Sequence, residues 1–407
     1  MDDVESGPPA LQLSDIRARS ALPPLTAPAM RVCSLSSVKN RIVLGQPLAF
    51  SVRDADRTLL LARGQVIADE AQLHALMSRG ALVEVHELTE AMRQPHPARS
   101  AAYLRDRLPE EWDRGMQDVR NALSASPDRM AEALDGATTL LLSLIDSSPE
   151  VALAQVVRQP GTGSGHYGVT HSLHAATACQ AAARYLGWGP EDQRRAFQAA
   201  LTMNLGMLDL QARLSSQVSP LTSMQRDAIH EHPIRSVEML SAAGIDDHDW
   251  LEAVLQHHET PDGRGYPHGI GDIGELAEML RYADVYTARL SSRANRPAMS
   301  AAQAGRELHQ MAAQSPLAAA LIKAFGIFPP GSLVRLASGE VGLVVRNGEK
   351  AHRPMVSALT NANGEPRHTP VLRDSSRDDH AVVALLPVHA SPIRLSDERI
   401  ATLIAGA

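Results

Sequence analysis

From His166 to Gly326 the sequence runs almost entirely in helical periods, and five successive stretches each place a polar residue on an otherwise apolar stripe. Residues spaced i, i+4, i+7 share one face of a helix, and an apolar face of that kind must be buried against a neighbour. In THSLHAATACQAAARYL the stripe is His171, Ala175, Ala178 and Ala182. In EDQRRAFQAALTMNLGML it is Phe197, Leu201, Asn204 and Leu208. A third helix starts near His232-Pro233 and runs through Val237 and Leu240. In DDHDWLEAVLQHHE the face is Trp250, Val254, His257 and His258, and Asp284 follows Leu276 and Leu280 at i+8 and i+4.

One inward histidine is usually a satisfied core residue. A buried carboxylate is different, because taking its charge out of water costs several kcal/mol unless it is paired. Asp284 therefore needs a partner, which several histidines or a cation can supply. Imidazole and carboxylate are ligands that divalent metals accept, and helical bundles build such sites from facing helices.

The rest of the chain divides around this block. Residues 1–28 hold five prolines among small residues without apolar period, as expected of a disordered tail. Residues 30–90 predict a small β-rich domain, with breaks at Asp54-Ala55-Asp56 and Gly64, then a helix with Leu73, Leu76 and Met77 on one face and Gly80 as its stop. MRQPHPARS at 92–100 suits a linker. A helical domain is expected over 101–330, with its core at 166–326, breaks at Pro127 and Pro149, and a flexible turn at 161–165. Short apolar runs separated by Gly, Asn and Pro predict a β-module over 331–390. The fold class is thus mainly α, with a small β unit at each side.

Composition narrows the functions. The net charge of -7 and 3% aromatic content disfavour a nucleic-acid binder. No apolar run approaches the ~18 residues of a membrane span, the N-terminus carries no secretory pattern, and Cys33 and Cys179 offer no thiolate metal cluster. A cytoplasmic location is expected.

The most specific segment is His257-His258-Glu259-Thr260-Pro261-Asp262-Gly263-Arg264-Gly265-Tyr266-Pro267. It resembles the HHExxDGxGYP signature of the HD-GYP domain at all of its specified positions. His171-Ser172, His232-Pro233, Ala283-Asp284-Val285-Tyr286, Arg293 and Arg296 fall where that family has counterparts, and the resemblance covers roughly residues 165–390. It implies a helical domain that hydrolyses cyclic di-GMP at two or three metals, often iron or manganese. The implied ligands fall on His171, Met203-Asn204, His232, His257, His258 and Asp284.

The departures are concentrated. The family's HDxGK reads Met203-Asn204-Leu205-Gly206-Met207, so the His, Asp and Lys are replaced while Gly206 remains. Tyr167 stands where members with a third metal have an acid, and Ser236 where a Gly is usual. A bridging carboxylate offsets the repulsion between two cations and helps form the attacking hydroxide. Asn204 is neutral and cannot. Met203 offers a soft thioether, and Met207 lacks an ammonium to steady a phosphate.

Two outcomes follow for the remaining ligands. One divalent metal (iron, manganese or zinc) sits on His232, His257 and His258, since three histidines and water form a known open zinc arrangement; or no metal binds, and the histidines are hydrogen-bonded to Asp284 and Glu259. The loop residues Asp262, Gly263, Gly265, Tyr266 and Pro267 have two readings as well. They serve as a ligand or partner surface with an exposed Tyr266 ring, for which the family implies cyclic di-GMP and diguanylate cyclase domains, or the loop only caps the helix. Arg293 and Arg296 match family positions that meet nucleotide phosphates. The expectation is a catalytically impaired member of cyclic di-GMP signalling that acts by binding. The alternatives are a weak single-metal phosphodiesterase and a structural adaptor without ligand.

Overall fold

The computed structural model describes residues 32–88, 108–159 and 167–407, apart from 43, 46, 295, 313, 388, 389 and 392. The predicted tail, the linker and the 161–165 turn lie outside the described residues. The chain divides into two compact units, Met1–Ala98 and Arg99–Ala407.

The first unit contains β1 (Val32–Ser34), β2 (Val52–Arg53), β3 (Leu59–Leu61), α1 (Glu70–Ser78) and β4 (Leu82–Glu84), in an antiparallel sheet ordered β1-β4-β2-β3. The Asp69 side chain accepts from Gln72 N and starts α1. Gly80 follows the helix at φ +72°, a conformation that L side chains resist. Phe50, Val52, Ile67, Leu73 and Val83 fill its core.

The second unit is helical from α2 (Leu108–Leu123), α3 (Pro127–Ser147) and α4 (Pro149–Arg158) onward. Pro127 and Pro149 each open a helix, at positions where the missing N–H has no intrahelical acceptor. Next come α5 (Tyr167–Leu186), α6 (Pro190–Thr202), α7 (Leu208–Ser216), α8 (Ser223–Ala242), α9 (His248–Gln256), α10 (Glu275–Leu290), α11 (Ala301–Met311) and α12 (Pro316–Phe325). The alanine-rich α5 is buried on nearly every side, because small side chains let helices approach all round it. Among the described residues no single helix is long and apolar enough to cross a membrane.

Two details differ from the sequence expectation. The stripe through Phe197 and Leu208 is not one helix: α6 stops at Thr202, and a tight 3-10 turn, Leu205–Met207, precedes α7. The turn is pinned to α8, since Ser236 Oγ donates to Met203 O (3.0 Å) and accepts from Gly206 N (2.9 Å). A Cβ on Gly206 would lie 2.7 Å from His232 O, so the approach requires glycine. Ser236, in place of a usual glycine, thus ties the turn to the helix. Second, His232 is in the middle of α8, not near its start, because the Thr222–Gln225 capping box begins the helix at Ser223.

A five-stranded antiparallel sheet follows, ordered β8-β7-β6-β5-β9, from β5 (Leu333–Leu336), β6 (Val341–Arg346), β7 (Met355–Thr360), β8 (Pro366–Asp374) and β9 (Val382–Leu386). Glu340 is buried there between Arg367 and Arg373, each 2.8 Å away. A last helix, α13 (Asp397–Ala405), lies beyond the strand-and-turn region read from the sequence. Its Ile400 and Ile404 join Val151 of α4 and Leu343 of β6 in one apolar cluster.

Candidate metal centre

Proline has no N–H, so Pro233 leaves the carbonyl of Ile229, four residues back in α8, without its helical donor. The His232 ring fills the gap: Nδ1 lies 2.6 Å from Ile229 O. A carbonyl only accepts, so Nδ1 carries the proton and Nε2 keeps its lone pair. His257 repeats the device by other means. Helix α9 ends at Gln256, where carbonyls lack intrahelical donors, and His257 Nδ1 donates to Val254 O at 2.7 Å.

The two Nε2 atoms then face each other at 3.2 Å. With both protons on Nδ1, lone pair meets lone pair, which is unfavourable unless a cation or an added proton lies between them. His258 completes the group. Its ring is 4.1 Å from that of His257 and 5.1 Å from that of His232, and its buried Nε2 has no hydrogen-bond partner among the described residues. One ring nitrogen from each of the three lies within 4.8 Å of the others.

Burial disfavours the charged form of all three. It lowers His232 to about 3, assisted by His257. It also lowers His257, and it holds His258 well below the usual imidazole range. Neutral imidazoles are the form that ligates metal.

His171 and Asp284 stand apart from this trio. His171 Nε2 is 2.7 Å from Asp284 Oδ1, so each is engaged with the other. Burial raises the Asp284 carboxyl, but the His171 hydrogen bond and the nearby histidines outweigh it and hold the group below the ordinary carboxylate range. Tyr167 stacks on His171 with ring centroids 5.8 Å apart, and its hydroxyl accepts from Arg293 Nε at 3.0 Å. One turn further along α5 is His174, a buried residue absent from the sequence reading. Its Nδ1 has no partner among the described residues, and burial, then His171, lowers it to about 3. Its spacing of three from His171 was the available signal.

Asn204 is fully buried, and neither its amide nitrogen nor its amide oxygen has a partner among the described residues. Each unmet group costs about 1–3 kcal/mol, so the residue calls for a bound water or ligand. Met203 beside it is fully buried and Met207 half-buried.

The loop after α9 is held by Glu259. Its carboxylate accepts from the backbone N–H groups of His268 (2.7 Å), Gly269 (3.1 Å) and Ile270 (3.1 Å). This differs from the expectation of Glu259 bonded to the histidines: among the described residues of the centre, His171 alone has a carboxylate partner, and it is Asp284. The three loop amides occupy Glu259 instead.

Gly265 lies flat on the turn, since a Cβ there would be 2.4 Å from Glu259 Cα and 2.5 Å from His258 O. Gly263 takes φ +67°. Asp262 is exposed at the tip, bonded to Thr260, and is not brought to the histidines. Pro267 follows Tyr266 through a cis peptide.

Tyr266 is not the exposed ring expected from sequence. It is half-buried, stacked between His230 (4.6 Å) and His258 (4.5 Å). A flat ring between two others loses apolar surface to them, which the sequence pattern could not reveal. Arg296 donates to Ala288 O, and its buried Nε is unpartnered among the described residues.

The donor set fits one metal at His232, His257 and His258. Two imidazole nitrogens on a four-coordinate zinc are separated by about 3.3 Å, given Zn–N distances of ~2.0–2.1 Å, close to the 3.2 Å observed. A second cation fits poorly, because His171 and Asp284 are bonded to each other and Asn204 brings no charge.

Residues 140–317 match the HD domain family. A cyclic di-GMP phosphodiesterase of Pseudomonas aeruginosa, PA4108, is 29% identical over 286 residues, spanning 66% of this chain and 67% of that protein. The cyclic di-GMP phosphodiesterase PdeB of Borreliella burgdorferi is 26% identical over 133 residues, 32% of this chain and 35% of the relative. A solved structure of Bd1817, an HDG"Y"P protein from Bdellovibrio bacteriovorus, aligns over 72% of this chain and 97% of its own at 16% identity and a TM-score of 0.33. The segment that matches the HD domain family carries every histidine of the centre, and the chain is similar to a cyclic di-GMP phosphodiesterase over 66% of its length.

Proposed function

We propose that this protein is a catalytically impaired HD-GYP member that binds cyclic di-GMP at a single-metal centre and acts in signalling by binding. The observation that carries the reading is Asn204: a fully buried neutral amide, with both polar groups unmet, at the position of the bridging carboxylate. His232, His257 and His258 would hold one divalent cation, whose charge supplies attraction for a phosphodiester oxygen. The chain's own groups then decide the outcome. Asn204 can hydrogen-bond a phosphate oxygen or a water, but it cannot take a proton from that water at neutral pH, and Met207 cannot stabilise the developing charge. The chain therefore favours retention of the diester over its cleavage. Kinship with two cyclic di-GMP phosphodiesterases supports the ligand class.

The test joins three measurements on the purified full chain: elemental analysis, calorimetric titration with cyclic di-GMP, and chromatographic assay of hydrolysis with added manganese or iron. One bound metal, saturable binding and no turnover are expected. Robust metal-dependent turnover would overturn the reading, as would absence of binding at micromolar ligand.

A further inference from the structure

Outside the metal ligands, the most ordered feature around the centre is a column of rings. His258 lies against His257, Tyr266 stacks on His258 at 4.5 Å and 25°, and His230 stacks on Tyr266 at 4.6 Å and 2°. The column runs outward from the buried ligands to His230, which is exposed. Among the described residues no other ring stacks on the outer face of His230. The geometry of the loop holds this arrangement in place, since Glu259 fixes the loop by three backbone N–H groups and Gly265 lies against the turn. Tyr266 is also edge-on to His232, with centroids 6.4 Å apart, so it cannot slide without disturbing the centre.

We infer that His230 is a nucleobase platform: the outer face of its ring, set parallel to Tyr266, receives one purine of a cyclic dinucleotide whose phosphodiester lies toward the three-histidine centre. This rests on the cyclic di-GMP reading above and names a residue that the sequence motif does not contain. At the inner end, a cation held by His232, His257 and His258 would supply the charge that a phosphodiester needs. The outer end offers what a base needs, a flat polarisable face in partial contact with water. Base stacking on an aromatic side chain tolerates any base because each has a π-face. The platform therefore contributes affinity rather than a choice between guanine and adenine.

The test titrates cyclic di-GMP into the full chain, as purified and after zinc addition, for the parent and for His230→Ala, His230→Leu and His230→Phe, with zinc content measured for each. His230 is exposed and outside the ligand set, so zinc content should not change. The Ala and Leu variants should bind about tenfold more weakly, the effect of losing one stacked base, while Phe, which keeps a flat ring, should stay close to the parent. Equal affinity in all four proteins would overturn the platform and leave cyclic di-GMP binding standing. Parallel loss of zinc and affinity would also overturn it, because His230 would then act only by propping the loop. Failure of the parent itself to bind would overturn the underlying reading, a result distinct from either.

Discussion

The Nε2 atoms of His232 and His257 face each other at 3.2 Å, while both Nδ1 atoms are engaged with backbone carbonyls of their own helices. Two unrelated local defects, a proline inside α8 and the C-terminus of α9, thus produce the same ring state. Both rings are left in the neutral state that would ligate a cation.

His232→Ala or His257→Ala should abolish metal binding measured by elemental analysis, because either removes one of three donors. His171→Ala should leave most of it, because His171 is bonded to Asp284 outside the trio. Equal losses in all three variants would mean that His171 shares the bound ion.

Pro233→Ala tests the tautomer argument. It restores an N–H that competes for Ile229 O and frees His232 Nδ1 to lose its proton instead of Nε2. Metal affinity should fall ~10–100-fold, the usual effect of losing a group that orients a ligand, while the helix itself should gain stability. Competition against a zinc chelator reads the first effect and thermal unfolding the second.

The metal-free protein should lose stability as pH falls from about 6.5 toward 3. His174 is lowered to about 3 when folded, so between those values the unfolded chain takes up a proton that the folded chain refuses. Its contribution is complete above the unfolded value near 6.5 and is lost on the way down. His174→Leu should flatten the slope of midpoint against pH over that range. An unchanged slope would place the acid sensitivity elsewhere.

Changing Met203→His, Asn204→Asp and Met207→Lys together should restore binding of a second metal. Without metal, the new carboxylate is buried and unpaired, and the variant should be less stable than the parent by several kcal/mol. Added manganese should raise its unfolding midpoint more than the parent's. Equal shifts would show that His171 and Asp284 no longer open to a cation.

Gly265→Ala should displace the loop, since the added carbon meets three backbone atoms of 258–260 at 2.4–2.6 Å. Overpacking of this kind costs about 1–3 kcal/mol. Tyr266 should leave its stack, which its fluorescence would report.

The sequence by itself determined the helical class, the two β units and which polar residues lie on inward helix faces. Each of these follows from periodicity or from a contiguous motif: the stripe of His171, Ala175, Ala178 and Ala182 is inward because its spacing leaves no other face, and HHETPDGRGYP is legible without coordinates. It also exposed the defect at Met203-Asn204, because a missing charge is a matter of residue type.

What only the tertiary structure decided concerns pairs of residues far apart in the chain. His171 and Asp284 are 113 positions apart and cancel each other's need for a partner. Glu259 serves loop amides rather than histidines, and Tyr266 is enclosed between His230 and His258. The position of His232 within α8 depended on a capping box ten residues earlier. The physical reason is common to all of them. A side chain's face follows from local spacing, but its partner depends on which groups packing brings within 3 Å, and hydrogen bonds fall off too steeply with distance and angle for periodicity to select among them.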